Sequence, residues 1–368
     1  MTVSFIQTSD LHLGAKFKFL GDKSKLHRND CQDTFSNIIK ICVSKKVDAL
    51  LIAGDLFDKP DPPKTLVQMV IREFDFLEKK GIYVFIVPGN HDPYTKDSVW
   101  ATYDFPRNVI IFSNNEVEAR HINGLTVYGL AYSQDERHPL KGFTVDDNND
   151  FKVGLVHGSL TDLKWDDYED IYGPISKDEI SKSNFDYLAL GHYHNTLDVS
   201  KLLKLSKPCY YSGCPEGLTF KNKGPRNVLH VILSDGEIKV DTIKLNIRNF
   251  DSKELDCTGI DSDLKIRDIL NENCSNENIF RLVLKGTPPL DLNLDITEIE
   301  NEFQTKYFHL KLTDNIHIPE NLTEDETIRG TFIKLIKAEI DKENDEETKK
   351  RLENALRLGI AYLDKNTR

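Results

Sequence analysis

Five short apolar runs each end in residues of the same chemical kind, and that repetition constrains the chain more than any other feature. Val3–Thr8 runs into Asp10-Leu11-His12, Ala49–Ala53 into Gly54-Asp55, and Ile82–Val87 with Pro88 into Gly89-Asn90-His91-Asp92. Val153–Val156 runs into His157-Gly158-Ser159, and Tyr187–Leu190 into Gly191-His192-Tyr193-His194. Runs this short, bounded by Gly, Pro or Asp, read as buried strands. Between the first three lie two helical patterns, Phe35, Ile38, Ile39, Cys42, Val43 and Leu66, Met69, Val70, Phe74, Leu77, with apolar residues three and four apart. Alternating strands and helices imply a mostly parallel sheet with right-handed crossovers. The stretches Val109–Leu130 and Tyr210–Ile247 carry strands and turns without helices, which predicts a second, more antiparallel sheet. Ligands of an open α/β sheet sit beyond the carboxyl ends of its strands. That rule places Asp10, His12, Asp55, Asn90, His91, His157, His192 and His194 on one rim.

Asp-x-His and His-x-His are i, i+2 pairs, whose side chains share one side of an extended chain, so each pair reaches one centre. Glycines before Asp55, Asn90 and His192 allow tight turns where a Cβ would crowd a metal. Carboxylates, an amide oxygen and imidazoles without thiolate suit Mn, Fe or Zn. The donors are too many for one ion, and two ions bridged by Asp55 use them economically. Such a pair supplies an acidified water and a clamp on a phosphoryl group.

In this order the motifs resemble the calcineurin-like metallophosphoesterase signature and, within that superfamily, the SbcD-type DNA repair exonucleases, nuclease subunits of double-strand-break repair. Closer marks are Gly54-Asp55-Leu56-Phe57-Asp58 with Pro62-Pro63 behind it, Tyr211-Ser212-Gly213-Cys214-Pro215-Glu216-Gly217, and Ala355-Leu356-Arg357-Leu358-Gly359. The resemblance implies an α/β fold: a four-layer α-β-β-α metallophosphoesterase sandwich over residues 1–248, a small α/β capping domain over 249–318 and a helical partner-docking segment over 319–368. It implies one metal on Asp10, His12, Asp55 and His194 and a second on Asp55, Asn90, His157 and His192. His91 is then no ligand but the catalytic group that stabilises the transition state or protonates the departing oxygen. The implied activity is Mn-dependent 3′→5′ double-strand exonuclease and single-strand endonuclease action on DNA. The implied partner is an SbcC-type coiled-coil ATPase, with a homodimer left open. Asp58 stands where some relatives carry His and receives no catalytic role, and Cys214 stands where a serine is common.

The 368 residues hold 48 basic and 60 acidic side chains, a net charge of −12, which excludes a strongly basic nucleic-acid coat. Of that charge, −9 belongs to residues 251–368, so the metal-bearing region is near neutral. Basic residues bracket the rim, and Lys16, Lys18, Lys221, Lys223 and Arg226 are the expected phosphate contacts. Two other readings share the fold: a phosphoesterase of small substrates or phosphoproteins, and a non-catalytic scaffold, which the full ligand set disfavours. Six cysteines without a CxxC pair, no apolar run of about 18 residues and no signal peptide point to the cytoplasm and away from membranes.

Beyond residue 250, Phe280–Leu284, Leu294–Phe303 and Tyr307–Leu312 read as strand, helix and strand. Thr323 and Glu326 have capping-box spacing ahead of an apolar stripe of Ile328, Phe332, Leu335, Ile336 and Ile340. The charged run Lys342–Arg351 is expected to turn into a last helix with Leu352, Leu356, Ile360 and Leu363. The acidic groups Asp146-Asp147 with Asp150, and Asp166-Asp167 with Glu169-Asp170, lack EF-hand spacing and read as solvated loops.

Overall fold

A computed structural model describes residues 2–132, 138–145, 150–163, 171–289, 294–317 and 327–366. Thr323, Glu326 and most of the two acidic groups lie outside the described residues. The chain divides into two compact units, Met1–Phe250 and Asp251–Arg368.

The first unit runs β1 (Thr2–Thr8), α1 (Ser24–Lys45), β2 (Ala49–Ala53), α2 (Lys64–Glu78), β3 (Tyr83–Val87), α3 (Val99–Thr102), β4 (Val109–Ile111), β5 (Glu118–Ile122) and β6 (Leu125–Gly129). It continues with β7 (Phe151–His157), α4 (Lys177–Ser183), β8 (Tyr187–Gly191), β9 (Leu197–Asp198), α5 (Val199–Leu203), β10 (Cys209–Tyr211), β11 (Asn227–Ser234) and β12 (Glu237–Lys244). These strands form two six-stranded sheets, ordered β12-β11-β1-β2-β3-β4 and β5-β6-β7-β8-β10-β9.

Two expectations need correction. The second sheet is largely parallel: β6, β7, β8 and β10 run together, and only β5 and β9 at its ends are antiparallel. The connection from β7 to β8 carries α4, long enough for a parallel crossover. The hairpin β11–β12 joins the first sheet, antiparallel to β1, through a two-residue Asp235-Gly236 turn in which Gly236 adopts φ +89°. The rim is also not that of one sheet, because β1, β2 and β3 belong to the first and β7 and β8 to the second.

Period-two alternation explains the layering. Val3, Phe5, Leu51, Ala53, Phe85 and Val87 of one sheet pack in one core with Val127, Val153, Leu155, Tyr187 and Ala189 of the other. Their alternates Ile6, Leu50, Ile52, Val84 and Ile86 are buried too, while α1 and α2 bury Phe35, Ile38, Val70 and Phe74. On the second sheet Val156, Leu188 and Leu190 pack with Ile175, Ile180 of α4 and Phe185. Helix, sheet, sheet, helix is the result, and strands covered on both faces read as unbroken apolar runs. One polar residue enters the inter-sheet core fully satisfied. Gln7 donates to the Leu190 and Tyr210 carbonyls at 3.3 and 2.9 Å and accepts from Tyr187 Oη at 2.6 Å.

The second unit holds all but the first two residues of β13 (Asn249–Asp256), then α6 (Leu264–Glu272), β14 (Asn278–Gly286), α7 (Ile296–Phe303), β15 (His309–Ile316), α8 (Ile328–Lys342) and α9 (Glu346–Asn366). Its sheet is β13-β14-β15, with β14 and β15 parallel. Ile266 and Leu270 of α6, Ile299 and Phe303 of α7 and Phe280, Leu282 and Leu284 of β14 share one core. The stripe on α8 keeps Phe332, Ile336 and Ile340 of the expected one, gains Ile333 and loses two positions. Ile333 and Ile340 are buried against Leu356 and Ile360 of α9, whereas Ile328 and Leu335 are exposed. Arg357 of α9 pairs with Asp314 of β15. No described helix is long and apolar enough to cross a membrane.

Candidate metal centre

At the carboxyl ends of β1, β2, β3, β7 and β8 the chain leaves the sheets through turns that few side chains tolerate. Asp10, His12, Asp55 and His192 have φ of 53°, 44°, 52° and 103°, a conformation costing roughly 1–3 kcal/mol at each non-glycine position. Backbone bonds hold them: Asp10 N–H donates to the Gly54 carbonyl at 3.1 Å and His12 N–H to the Asp55 carbonyl at 3.0 Å. The three glycines expected to make room for metal make room for its neighbours instead. An added Cβ would lie 2.2 Å from His157 Nδ1 at Gly54, 2.2 Å from Asp55 Oδ1 at Gly89, and 1.7 Å from the Ala53 carbonyl oxygen at Gly191.

Asp55 is the hub. Its Oδ2 lies 3.4 Å from His157 Nε2 and 3.6 Å from His12 Nε2, and its Oδ1 accepts the His91 N–H at 2.9 Å. On one side Asp10, His12 and His194 bring ligand atoms within 4.8 Å of one another. On the other, Asp10, Asp55 and His157 do the same, with Asn90 Oδ1 2.8 Å from His157 Nε2. The His192 ring meets the His157 ring edge-on at 5.3 Å. His91 is exposed, packs edge-on to His12 at 4.5 Å, and lies with Nδ1 3.4 Å from the Asp58 carbonyl oxygen.

Partners behind the rings set which nitrogen faces inward. His157 Nδ1 lies 2.9 Å from the Ala53 carbonyl oxygen, to which Nδ1–H donates, and this turns Nε2 toward the metal-bearing side. Nε2 faces Asn90 Oδ1 at 2.8 Å and Asp55 Oδ2 at 3.4 Å, so three atoms able to ligate a metal ion converge there. His12 Nδ1 lies 3.6 Å from Asp58 Oδ1, and His12 Nε2 is buried without a hydrogen-bond partner. Converging buried lone pairs are favourable around a cation and repulsive otherwise. The donor set therefore fits divalent ions.

The protonation pattern agrees. Burial and the neighbouring His157 press His192 down to about 3. Burial and His12 hold His194 well below the usual imidazole range, so both rings offer lone pairs at neutral pH. Burial alone would raise Asp55, but His157, His12 and His91 hold it at about 2. Burial raises Asp10 in spite of His157 beside it. Burial disfavours the His12 cation, yet Asp58, Asp55 and Asp10 raise it to about 9. A divalent ion binding there would displace that proton.

The calcineurin-like phosphoesterase family profile matches residues 3–196, more than half of the chain. The chain belongs to that family. It is accordingly a metal-dependent hydrolase. It is 26% identical over 350 residues, 87% of this chain and 84% of the relative, to the uncharacterized metallophosphoesterase YhaO of Bacillus subtilis. It is 26% identical over 321 residues, 80% of this chain and 77% of the relative, to the DNA double-strand break repair protein Mre11 of Sulfurisphaera tokodaii. It is 24% identical over 280 residues, 64% of this chain and 66% of the relative, to the SbcD component of the nuclease SbcCD of Escherichia coli.

In this calcineurin-like chain the expected phosphate contacts divide. Lys16, Lys18, Lys221 and Lys223 are exposed. Arg226 is only 5% exposed, and its guanidinium faces protein acceptors. It donates to the His194 carbonyl at 2.8 Å, Asn195 Oδ1 at 2.9 Å and the Lys223 carbonyl at 3.0 Å. It braces the loop that carries His194 and is no surface contact. Asp58, to which the sequence assigned no role, backs both His12 and His91. The signal was its place as the first residue to face outward after buried Leu56 and Phe57. Asp92 is fully buried and accepts from Phe57 and Gly89 N–H at 3.0 and 2.8 Å, tying the ends of β2 and β3. Burial and the Asp55 charge push its pKa well above the usual value. Ser9 donates to Asp10 Oδ2 at 2.5 Å and meets Ser212 Oγ at 2.9 Å, fixing Asp10 from below.

Proposed function

We propose that this hydrolase is an SbcD-like, Mn-dependent two-metal DNA nuclease, a 3′→5′ double-strand exonuclease and single-strand endonuclease that works with an SbcC-type ATPase in DNA end processing and repair. The observation that supports it best is the clustering of Asp10, His12, Asp55, Asn90, His157, His192 and His194, five of them buried, with exposed His91 beside them. Similarity to relatives named as break-repair and SbcCD proteins extends well past the metal-bearing motifs. In this reading Asp10, His12, Asp55 and His194 hold one ion, and Asp55, Asn90, His157 and His192 the other. The ions supply an acidified water and a clamp on the scissile phosphate. His91 meets the substrate from the open side, where its ring is placed to protonate the departing sugar oxygen. Asp58 and the Ala53 carbonyl hold His12 and His157 in the ligating tautomer.

The remaining assignments complete the same reading. Lys16, Lys18, Lys221 and Lys223 contact DNA phosphates, residues 249–318 cap the site, and residues 319–368 dock the ATPase. Linear duplex DNA incubated with the Mn-loaded chain should lose nucleotides from its 3′ ends, and EDTA should stop the reaction. Hydrolysis of small phosphodiesters or phosphoproteins with intact DNA would replace this reading by a small-substrate or phosphoprotein phosphoesterase.

A further inference from the structure

The loop of residues 212–226, which leads from β10 to β11, grips the metal centre from one side. Ser212 Oγ meets Ser9 Oγ at 2.9 Å, and Ser9 donates to Asp10 Oδ2 at 2.5 Å. Cys214 N–H and the Arg226 guanidinium donate to the His194 carbonyl at 3.1 and 2.8 Å. Gly213 makes that approach possible: its φ is +73°, and an added Cβ would lie 2.7 Å from the same carbonyl oxygen. Asp10 Oδ1 and His194 Nε2 face each other at 4.0 Å and share one ion in the reading above. His157, of the other ion, is instead backed by the Ala53 carbonyl. What fixes the loop is Glu216. Its carboxylate is buried, only 2% exposed, and collects three donors from two other parts of the unit. Thr34 Oγ1 of α1 donates to it at 2.9 Å, and Ile247 and Arg248 N–H, from the segment after β12, donate at 2.7 and 3.0 Å. The neighbouring Gly217 carbonyl oxygen lies 2.8 Å from His27 Nε2 of α1.

A buried carboxylate is costly to desolvate, and its donors compensate it only while α1, the loop and the segment after β12 keep their places. Burial pushes its pKa up, against the pull of the Ile247 and Arg248 N–H groups. Packing alone would be served as well by an apolar residue of that size, so the charge has its work in registering the loop. We propose that Glu216 is a positioning residue for the metal centre, holding this loop so that Asp10 and His194 meet their shared ion, with little hold on the ion of Asn90, His157 and His192. The effect travels over two short steps, along the backbone from Glu216 to Cys214 and through the hydrogen bond from Cys214 to the His194 carbonyl. Asp30 reaches the same segment by another bond, to the Arg248 guanidinium at 2.8 Å, and its loss leaves the bonds of Glu216 in place. The proposal rests on the two-ion reading above and separates the two ions by what supports them.

Metal affinity distinguishes this role from a purely structural one. Glu216→Gln keeps the side chain's size but turns an amide donor toward a backbone N–H, and Glu216→Ala removes the bonds altogether. Each is made in the full chain on two backgrounds that keep one ion apiece: Asn90→Ala, which retains the ion of Asp10 and His194, and His194→Ala, which retains the other. Mn binding is read by electron paramagnetic resonance and calorimetry, with melting curves confirming folded protein. On the Asn90→Ala background, changing Glu216 should weaken the remaining ion about tenfold or more, and on the His194→Ala background the change should stay within about threefold. Thr34→Val, which removes one donor, should give a smaller loss on the first background alone. Equal losses on both backgrounds, or none on either, would overturn the role, and so would the same selective loss in Asp30→Asn. Should Glu216→Ala fail to fold, Glu216→Gln and Thr34→Val carry the test. A wild-type chain that binds a single ion sinks the two-ion reading; weaker binding of that ion in Glu216→Gln, with none in Asp30→Asn, then keeps the role of Glu216, and unchanged binding removes it.

Discussion

The two sheets bring imidazoles to one centre by different means. On the first-sheet side, His12 is backed by the Asp58 carboxylate and sits at positive φ among Asp10 and Asp55. On the second-sheet side, His157 ends a strand and is backed by the Ala53 carbonyl. A carboxylate supplies charge and raises ring basicity but depends on one side chain. A backbone carbonyl supplies less charge, yet it is fixed by strand pairing, and no substitution of its own side chain removes it. One half of the site is thus tuned by electrostatics and the other by the fold.

The largest expected effect breaks the meeting of the two sheets. Gly191→Ala puts a Cβ 1.7 Å from the Ala53 carbonyl oxygen, and overpacking against backbone should cost about 3 kcal/mol or more. Thermal unfolding should show that loss, and a wild-type melting temperature would refute the close approach. Next is His91→Asn, which should lower phosphodiester cleavage about 10²–10⁴-fold while metal content by mass spectrometry stays near wild type. Equal loss of metal would make His91 a ligand.

A smaller effect sharpens the contrast between the halves. Asp58→Asn should weaken metal binding about 10–100-fold in a calorimetric titration, because only the first-sheet half leans on a side chain. Unchanged affinity would mean that Asp58 is dispensable to His12. The smallest effect lies away from the centre. Burial opposes ionisation of Asp30, but its bonds to His27 and Arg248 hold it below its ordinary 3.8. Its contribution is therefore complete above that value and is lost as pH falls through the lowered one. Asp30→Asn should flatten the acid limb of the stability profile and leave metal binding unaltered.

Much of the site was legible because metal chemistry limits the residue types and strand ends limit their positions. Asp10-x-His12 and His192-x-His194 announce themselves by spacing. Arg226 was misread because a guanidinium beside a ligand motif looks the same in sequence whether it faces solvent or the His194 carbonyl. Asp58 carries no role in the sequence because some relatives have His there, and its partner, His12, is 46 positions away and arrives only through the β1–β2 pairing. The parallel second sheet was misjudged because strand direction depends on where the crossover packs. Helix α6 escaped notice because Ile266 and Leu270 are sparse among charged residues and become a core only against β14.

By itself the sequence determined the alternating strands and helices, the donor chemistry and its order, since burial period and ligand type are local properties of the chain. Only the tertiary structure decided which sheet each strand joined and which backbone or side-chain group stood behind each imidazole. Those outcomes depend on contacts between residues far apart in the chain, and close packing of two sheets is what brings them within hydrogen-bond reach.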